Sequence, residues 1–502
     1  MIKTSKGLIT ITVMLVTVLE VLDMTIVNVA LPPMMGSLSA NSEEITWVLT
    51  SYIVAAAIFM PLTGILIERV GQKKLLLFNI IGFCLSSMLC GISSSLDEMI
   101  LFRTMQGIFG ASLVPLSQFI LGNTYESHEQ SKAMAFWGMG VMVAPVLGPT
   151  LGGYITETLN WRWVFYINLP ICIIACILCL LFIKETNTHK KNIDWLGIIL
   201  MMLAIGAFQV FLDQGNSKDW FGSHLIQVLL ITSIICSSLF ISRGLRKKDN
   251  IINLYLYRNK NFMLCSILML CYMISLFGVM SIQPLMLENL MHYTTGDAGL
   301  LMAPRALSSA LTMAIVAKFF SNKNPKPLIM IGLLLSSLGC YLMAGFQLQT
   351  VASTMIWVGL IQGVGMGLFF VPTSTLALAT LKPSQTSEAS GLFSLSRSIG
   401  SSIGISIIST IAARATQISY HSLAKHISST NPALQQFLAQ QQLDINMPIV
   451  AKLLSNKVLL QANFNAFIDG FLISSYGFLL ILPLVLLLDS PKTFYVSAPV
   501  HD

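Results

Sequence analysis

Two acidic residues sit where acids are least expected. The stretch Leu8–Pro33 reads LITITVMLVTVLEVLDMTIVNVALPP, long enough to cross a bilayer, and carries Glu20 and Asp23 well inside it. A carboxylate in hydrocarbon costs about 2.5–3.5 kcal/mol on insertion scales. Three residues apart, the two acids share one face of a helix. That face must look into a protein interior or a water-filled cavity, and the chemistry open to such a residue there is to carry a proton or an ion. Three arginines, Arg103, Arg305 and Arg397, lie inside other apolar runs; Arg103 is the deep cation expected to answer these acids, whereas Arg305 and Arg397 sit mid-span in the second half with no deep acidic partner. Gln106, one helical turn from Arg103, can bridge the charges.

The elements that position these residues follow from composition. Of 502 residues, 55% are hydrophobic and only 10% charged, and the mean hydropathy is +0.76; soluble proteins carry about 25% charged residues. The chain is expected to be an all-α integral membrane protein. A net charge of +7 fits basic loops on one membrane face better than nucleic-acid binding, because no basic patch falls on a soluble segment. The nine cysteines all lie in apolar runs without metal-ligand spacing to histidine, which reads as small apolar side chains rather than a disulfide framework or a metal site. MIKTSKG resembles a signal n-region, but the run behind it is too long and lacks a small-residue cleavage site, so it reads as a retained first span.

With about 20 apolar residues per span, fourteen spans are predicted: 8–31, 45–67, 75–95, 99–122, 133–156, 164–183, 195–213, 224–242, 262–286, 297–320, 327–346, 351–372, 389–413 and 466–488. Lys and Arg set the orientation. Placing both termini in the cytoplasm puts twenty of the 29 basic residues inside, six outside and three within spans. Residues 243–260, RGLRKKDNIINLYLYRNK, form a basic cytoplasmic connector. Residues 414–465 form a long outer loop in which Leu434, Phe437, Leu438, Ile449, Val450, Leu453 and Leu454 have helix-like spacing, fitting either surface helices on the outer mouth or a docking surface for a periplasmic partner.

An internal repeat is visible. QGIFGASLVPLS from Gln106 in the fourth span matches QGVGMGLFFVPTS from Gln362 in the twelfth. Repeated halves with a substrate cavity between them near the midplane are characteristic of secondary transporters. The expected organisation is a six-helix half over 1–190, two inserted helices and the connector over 191–260, and a second six-helix half over 261–502. Arg103 has no sequence counterpart in the second half.

Four motifs carry a family resemblance. The loop after span 2 reads Gly64-Ile-Leu-Ile-Glu68-Arg69-Val-Gly71-Gln-Lys73-Lys74. Span 4 has Arg103-Thr-Met-Gln106-Gly107-Ile-Phe-Gly110. Span 5 has Gly148-Pro149-Thr-Leu-Gly152-Gly153. Span 1 has Leu22-Asp23-Met-Thr25-Ile26-Val27-Asn28-Val29-Ala30-Leu31-Pro32. Together they resemble the major facilitator superfamily, and within it the fourteen-span drug:proton antiporters of the EmrB type. The loop motif departs from the family pattern in having Glu68 where Asp is usual, and Glu20 is not part of the family signature.

The resemblance implies a major facilitator fold and export of hydrophobic or amphipathic drugs from the cytoplasm or inner leaflet. The proton gradient is the energy source, with no cofactor and no metal. It also implies a multi-pass protein of the bacterial inner membrane that hands its cargo to an EmrA-type periplasmic adaptor and a TolC-type outer-membrane channel. A facilitator-fold transporter of a defined metabolite, working without such partners, is the alternative. An enzyme or ATP-driven pump is not expected, since no phosphate-binding GxxxxGK[ST] loop occurs.

Asp23 lies about 12 Å below the outer end of span 1 and Arg103 about 6 Å below that of span 4, so a direct or Gln106-mediated pair is expected. Asp23, Glu20, Arg103 and Gln106 are the candidates for proton coupling, with Asp23 the foremost. Asn28, Gln118, Gln283, Arg305, Gln362 and Arg397 are expected to line the substrate cavity, Arg305 and Arg397 alternatively capping carbonyls beside Pro304 and Gly400. Gly64, Glu68, Arg69, Gly71, Lys73, Lys74, Gly148, Pro149, Gly152 and Gly153 are assigned to conformational motifs.

Overall fold

A computed structural model describes residues 6–41, 44–126, 129–186, 194–246, 254–319, 324–382, 385–427, 431–440 and 447–489. Lys3, Lys190, Lys191, Lys247, Lys248, Lys323 and Lys492, counted above for orientation, lie outside them, as do residues 247–253 of the basic connector.

Among the described residues, fourteen helices are long and apolar enough to cross a membrane: α1 Lys6–Ser37, α2 Trp47–Val70, α3 Gln72–Ile92, α4 Leu96–Thr124, α5 Ser131–Thr158, α6 Trp163–Phe182, α7 Trp195–Gln214, α8 His224–Gly244, α9 Lys260–Asn289, α10 Thr295–Phe319, α11 Pro325–Ala344, α12 Ala352–Ala379, α13 Thr386–Ala424 and α14 Ile449–Leu486. Each predicted span corresponds to one of them. With no water in a bilayer to satisfy backbone N–H and C=O groups, helices that bond internally are the natural way for such apolar runs to cross.

The packing is repeated. In the first half α1 packs on α5, α2 on α4, and α3 on α4 and α6; in the second α9 packs on α13, α10 on α12, and α11 on α12 and α14. Small residues permit these approaches. A Cβ on Gly107 would lie 2.4 Å from the Tyr52 carbonyl oxygen, and one on Gly363 2.2 Å from that of Arg305. The same Gln-Gly step thus seats α4 on α2 and α12 on α10.

The halves meet along α5–α10 and α2–α13. Gly64 lies against the Glu388 backbone, 2.9 Å from an added Cβ, and Gly299 lies against Thr150. Towards the face that carries Lys6, α4 also packs on α13 and α5 on α12, whereas no comparable packing joins α1 to α9 among the described residues. The space between the halves is therefore closed towards the Lys6 face. The inserted helix α7 bridges the halves: Thr50 of α2 donates to Asp213, Gln209 donates to Ser402 at 2.8 Å, and Ser406 donates to the Leu212 carbonyl at 2.6 Å.

The last two spans differ most from expectation. The expected loop 414–465 is in large part helix. α13 runs 39 residues, to Ala424, and α14 begins at Ile449. At 1.5 Å per residue α13 is about 58 Å long, nearly twice the hydrocarbon thickness. Thr416 donates to Asn463 at 3.0 Å and Tyr420 meets Ser455 at 3.0 Å. The helix Pro432–Gln440 places Leu438 with Val450 and Leu454 in a small apolar cluster. Hydropathy locates the bilayer portion of a helix; polar residues that pack on one another carry the same helix beyond it.

Candidate functional site

Asp23 is fully buried in α1 and is held from two other helices, α4 and α6. Arg103 Nη1 donates to Oδ2 at 2.7 Å, while Gln106 Nε2 and Asn168 Nδ2 donate to Oδ1 at 2.9 and 2.6 Å. Arg103 Nη1 also donates to Gln106 Oε1 at 2.8 Å, and Arg103 Nε to the Val48 carbonyl at 3.1 Å. The guanidinium lies over the Tyr52 ring, 4.3 Å from its centroid, a favourable cation–π placement. Asn168 continues the network to Ser87 at 3.0 Å. Charge-assisted bonds in a dry interior are strong, and both carboxylate oxygens of Asp23 are engaged. The pair expected from sequence thus forms both directly and through Gln106.

Glu20 contrasts with it. Only 3% exposed, it makes no hydrogen bond among the described residues. The opposite charge it feels is Arg397 of α13, in the other half. The two are too far apart for a direct ion pair, and Arg397 retains partial exposure to water within the bundle. Its guanidinium stands 5.5 Å from the centroid of the Trp137 ring of α5, and Trp137 stacks on Phe370 of α12 at 5.6 Å. Both rings are buried, and they join the halves on the Lys6 side of the two charges. This corrects the expectation that Arg397 lacks a deep acidic partner. The acid was missed because it lies on the first helix, in the opposite half of the chain.

Arg305, 2% exposed, does not line an open cavity and caps no carbonyl among the described residues. It donates through Nη2 to Gln283 Oε1, and its Nε and Nη1 have no partner among the described residues. Gln362 is buried against Cys340 Sγ at 3.2 Å, and Gln118 is buried with Nε2 3.8 Å from Met134 Sδ. These glutamines are helix-packing groups in this state rather than cavity walls. Asn28 is exposed, with only a 3.5 Å contact to the Met24 carbonyl.

The motif residues lie where the helices join. Gly71 has φ +86°, a backbone that a Cβ disfavours, and starts α3. Lys73 Nζ donates to the Leu180 carbonyl at 2.7 Å, capping the end of α6, and Gln72 Nε2 donates to the Lys184 carbonyl at 2.8 Å. Lys74 and Arg69 are exposed and Glu68 is half-buried. In α5, Gly148 and Gly152 admit Thr25 and Ile26 of α1 to close contact, Gly153 faces Thr295 of α10, and Pro149 lies between them. The GPTLGG run thus lies between the acid-bearing helix and the other half.

Sequence reading passed over Asn168, Tyr52, Trp137 and Phe370. Asn168 was legible as a lone amide opening an apolar run, a costly residue that needs a partner. Trp137 and Phe370 carried no signal, because aromatic residues are ordinary in apolar helices.

A model of the Major Facilitator Superfamily matches residues 13–405. The fatty acid resistance protein FarB of Neisseria gonorrhoeae is 34% identical over 476 residues, covering 94% of each chain. The multidrug export protein EmrB of Escherichia coli (strain K12) is 36% identical over 435 residues, covering 86% of this chain and 85% of its own. Among solved structures, the human organic anion transporter MFSD10 superposes with a TM-score of 0.63 at 13% identity, covering 96% of this chain and 99% of that one. The proton:xylose symporter XylE superposes with a TM-score of 0.58 at 14% identity, covering 95% and 94%. At such identities the structural likeness speaks to fold alone.

Proposed function

Because the chain belongs to the Major Facilitator Superfamily, we propose that it is a multidrug exporter, driving hydrophobic or amphipathic compounds out of the cytoplasm or inner leaflet in exchange for protons. The observation that supports this most directly is Glu20. It is a deep carboxylate with no hydrogen bond among the described residues, set against a cation of the other half. Such a group gains or loses a proton without breaking a network, and either change alters the attraction between the halves. Asp23, by contrast, is caught in three bonds from Arg103, Gln106 and Asn168.

In the proposed cycle the cavity first opens away from the Lys6 face. A proton arrives there on Glu20, the pull on Arg397 ends, and a cationic cargo group loses its counter-charge and leaves. The halves then rock about α5–α10 and α2–α13, separating Trp137 from Phe370 and opening the Lys6 face. Glu20 releases its proton there and accepts new cargo. Asp23 and Arg103 hold α1, α4 and α6 as one body during the swing; a second proton on Asp23 would loosen that body. The Lys6 face is cytoplasmic in this reading. The membrane is the bacterial inner membrane, residues 1–190 and 261–502 are the moving halves, and 191–260 links them. The relatives' names include multidrug export and fatty acid resistance, which fits cargo received by an EmrA-type adaptor and a TolC-type duct.

Drug uptake into inverted membrane vesicles, with and without an imposed proton gradient, tests this reading. Wild type should accumulate a fluorescent cationic drug only with the gradient. Glu20→Gln should lose drug-induced proton release while remaining folded. Gradient-independent uptake, or normal coupling in Glu20→Gln, would sink the mechanism. Adaptor cross-linking that persists after removal of residues 425–447 would exclude docking through that segment.

A further inference from the structure

The repeat makes the two buried arginines comparable. Gln106-Gly107 of α4 matches Gln362-Gly363 of α12, and each glycine seats against a backbone carbonyl, that of Tyr52 in the first half and that of Arg305 in the second. The glutamines contact matching thiols, Cys90 at 3.7 Å and Cys340 at 3.2 Å. Arg305 therefore stands where Tyr52 stands. Gly359, three residues before Gln362, stands where Arg103 does. In the first half the guanidinium comes from α4 and lies over an aromatic ring of α2; in the second it comes from α10.

What does not repeat is the counter-charge. Arg103 reaches Asp23 at 2.7 Å with both side chains buried. Arg305 has the neutral Gln283 on Nη2, and no acceptor on Nε or Nη1 among the described residues. Of the described acids of this half, Glu288, Asp297, Glu388, Asp469 and Asp489, none pairs with Arg305, whose one side-chain partner is Gln283. Gly359 puts no side chain against Arg305: a Cβ there would meet nothing nearer than Arg305 Cβ at 3.8 Å, an unstrained contact. A buried guanidinium with two free N–H groups and no counter-ion is a strongly unfavourable arrangement.

We propose that Arg305, Gln283 and the space left by Gly359 form a binding site for a small inorganic anion, chloride in ordinary salt, which takes the place in the second half that the Asp23 carboxylate fills in the first. The anion accepts from Nε and Nη1 and neutralises the cation. It is a structural resident of the second half and is not cargo. The site is too enclosed for an amphipathic acid, since Arg305 and Gln283 are 2% and 4% exposed.

The test is thermal unfolding of the purified full-length protein in lipid nanodiscs, in sodium chloride against sodium gluconate at equal ionic strength. Chloride should raise the midpoint saturably by about 2–4 °C, as a ligand that binds only the folded state does. Gly359→Asp supplies a built-in carboxylate and should abolish the chloride response while raising the midpoint in gluconate; Arg305→Gln should abolish the response without that rise. Equal wild-type midpoints in the two salts would overturn the proposal. So would a chloride response that survives in Arg305→Gln, or stabilisation by a long-chain carboxylate but not by chloride, which would make the anion part of the cargo. If the variants do not fold, radioactive chloride binding to wild type decides, one ion per chain supporting the site and none refuting it.

Discussion

The two halves solve one electrostatic problem in opposite ways. Each buries an arginine beside a Gln-Gly step and a cysteine. The first half surrounds Arg103 with Asp23, Gln106 and a backbone carbonyl, so that charge and hydrogen bonds close on themselves. The second leaves Arg305 with one amide partner. A closed network gives rigidity, because breaking any member leaves the others unsatisfied in a low dielectric, where an unpaired polar group is costly. An open one retains capacity to bind. The asymmetry places the fixed body in the half that carries both deep acids and the unfilled cation in the other.

The largest way to break that comparison is Asp23→Ala. It strands Arg103 in the interior and should cost about 3–5 kcal/mol of stability, read as a loss of monodisperse protein and a lowered unfolding midpoint. Arg103→Met combined with Asp23→Ala should recover much of this, as removal of both charges does for buried pairs. Arg305→Met, which removes a cation without a carboxylate, should cost no more than about 1–3 kcal/mol, the penalty of leaving Gln283 unpaired.

The shared helix contacts come next. Gly107→Ala and Gly363→Ala each force a methyl group against a backbone oxygen, at 2.4 and 2.2 Å. Each should lower stability by about 1–3 kcal/mol. Gly122→Ala, with nothing within 4 Å of the new carbon, is the matched control and should be neutral or slightly stabilising. Equal midpoints for all three variants would show that the repeated seats do not set the packing.

Glu20→Gln should change stability least among the deep residues, since the carboxylate makes no hydrogen bond among the described residues. Its effect should appear in drug-induced proton release, which falls to the level of empty vesicles. The smallest effect belongs to the surface. Lys6 Nζ meets Glu129 at 2.7 Å, and its bond and charge hold the Glu129 carboxyl below its usual range. A depressed carboxyl contributes stability above its unfolded-state value and loses it as pH falls through the folded-state value. Wild type should therefore lose slightly more stability than Glu129→Gln between neutral pH and the acid range below the ordinary glutamate value, a difference that salt should erase.

Much of the fold was legible because a bilayer demands it. Apolar runs of fixed length become helices, so fourteen spans followed from hydropathy. The pairing of Asp23 with Arg103 followed from depth along two helices. Span ends were less legible: α13 and α14 continue well past their apolar portions because polar residues there pack on one another, a contact that hydropathy does not register. The cavity walls were read least well. A glutamine in an apolar run signals only that it needs a partner. Gln362 finds Cys340 and Gln283 finds Arg305, whereas Asn28 stays exposed.

The sequence by itself determined that this chain crosses a membrane, that it is built on a repeat, and that it buries acids and arginines within its spans, because each of these is a local property of composition, period or spacing. Tertiary structure alone decided how completely each charge is answered, and from which half. Asp23 is enclosed with Arg103, while Glu20, one helical turn away, is left to face Arg397 from the opposite half. Arg305 is left short of a counter-ion. These outcomes depend on how whole helices rotate and approach one another, and Coulomb interactions act through space between residues that the chain holds far apart.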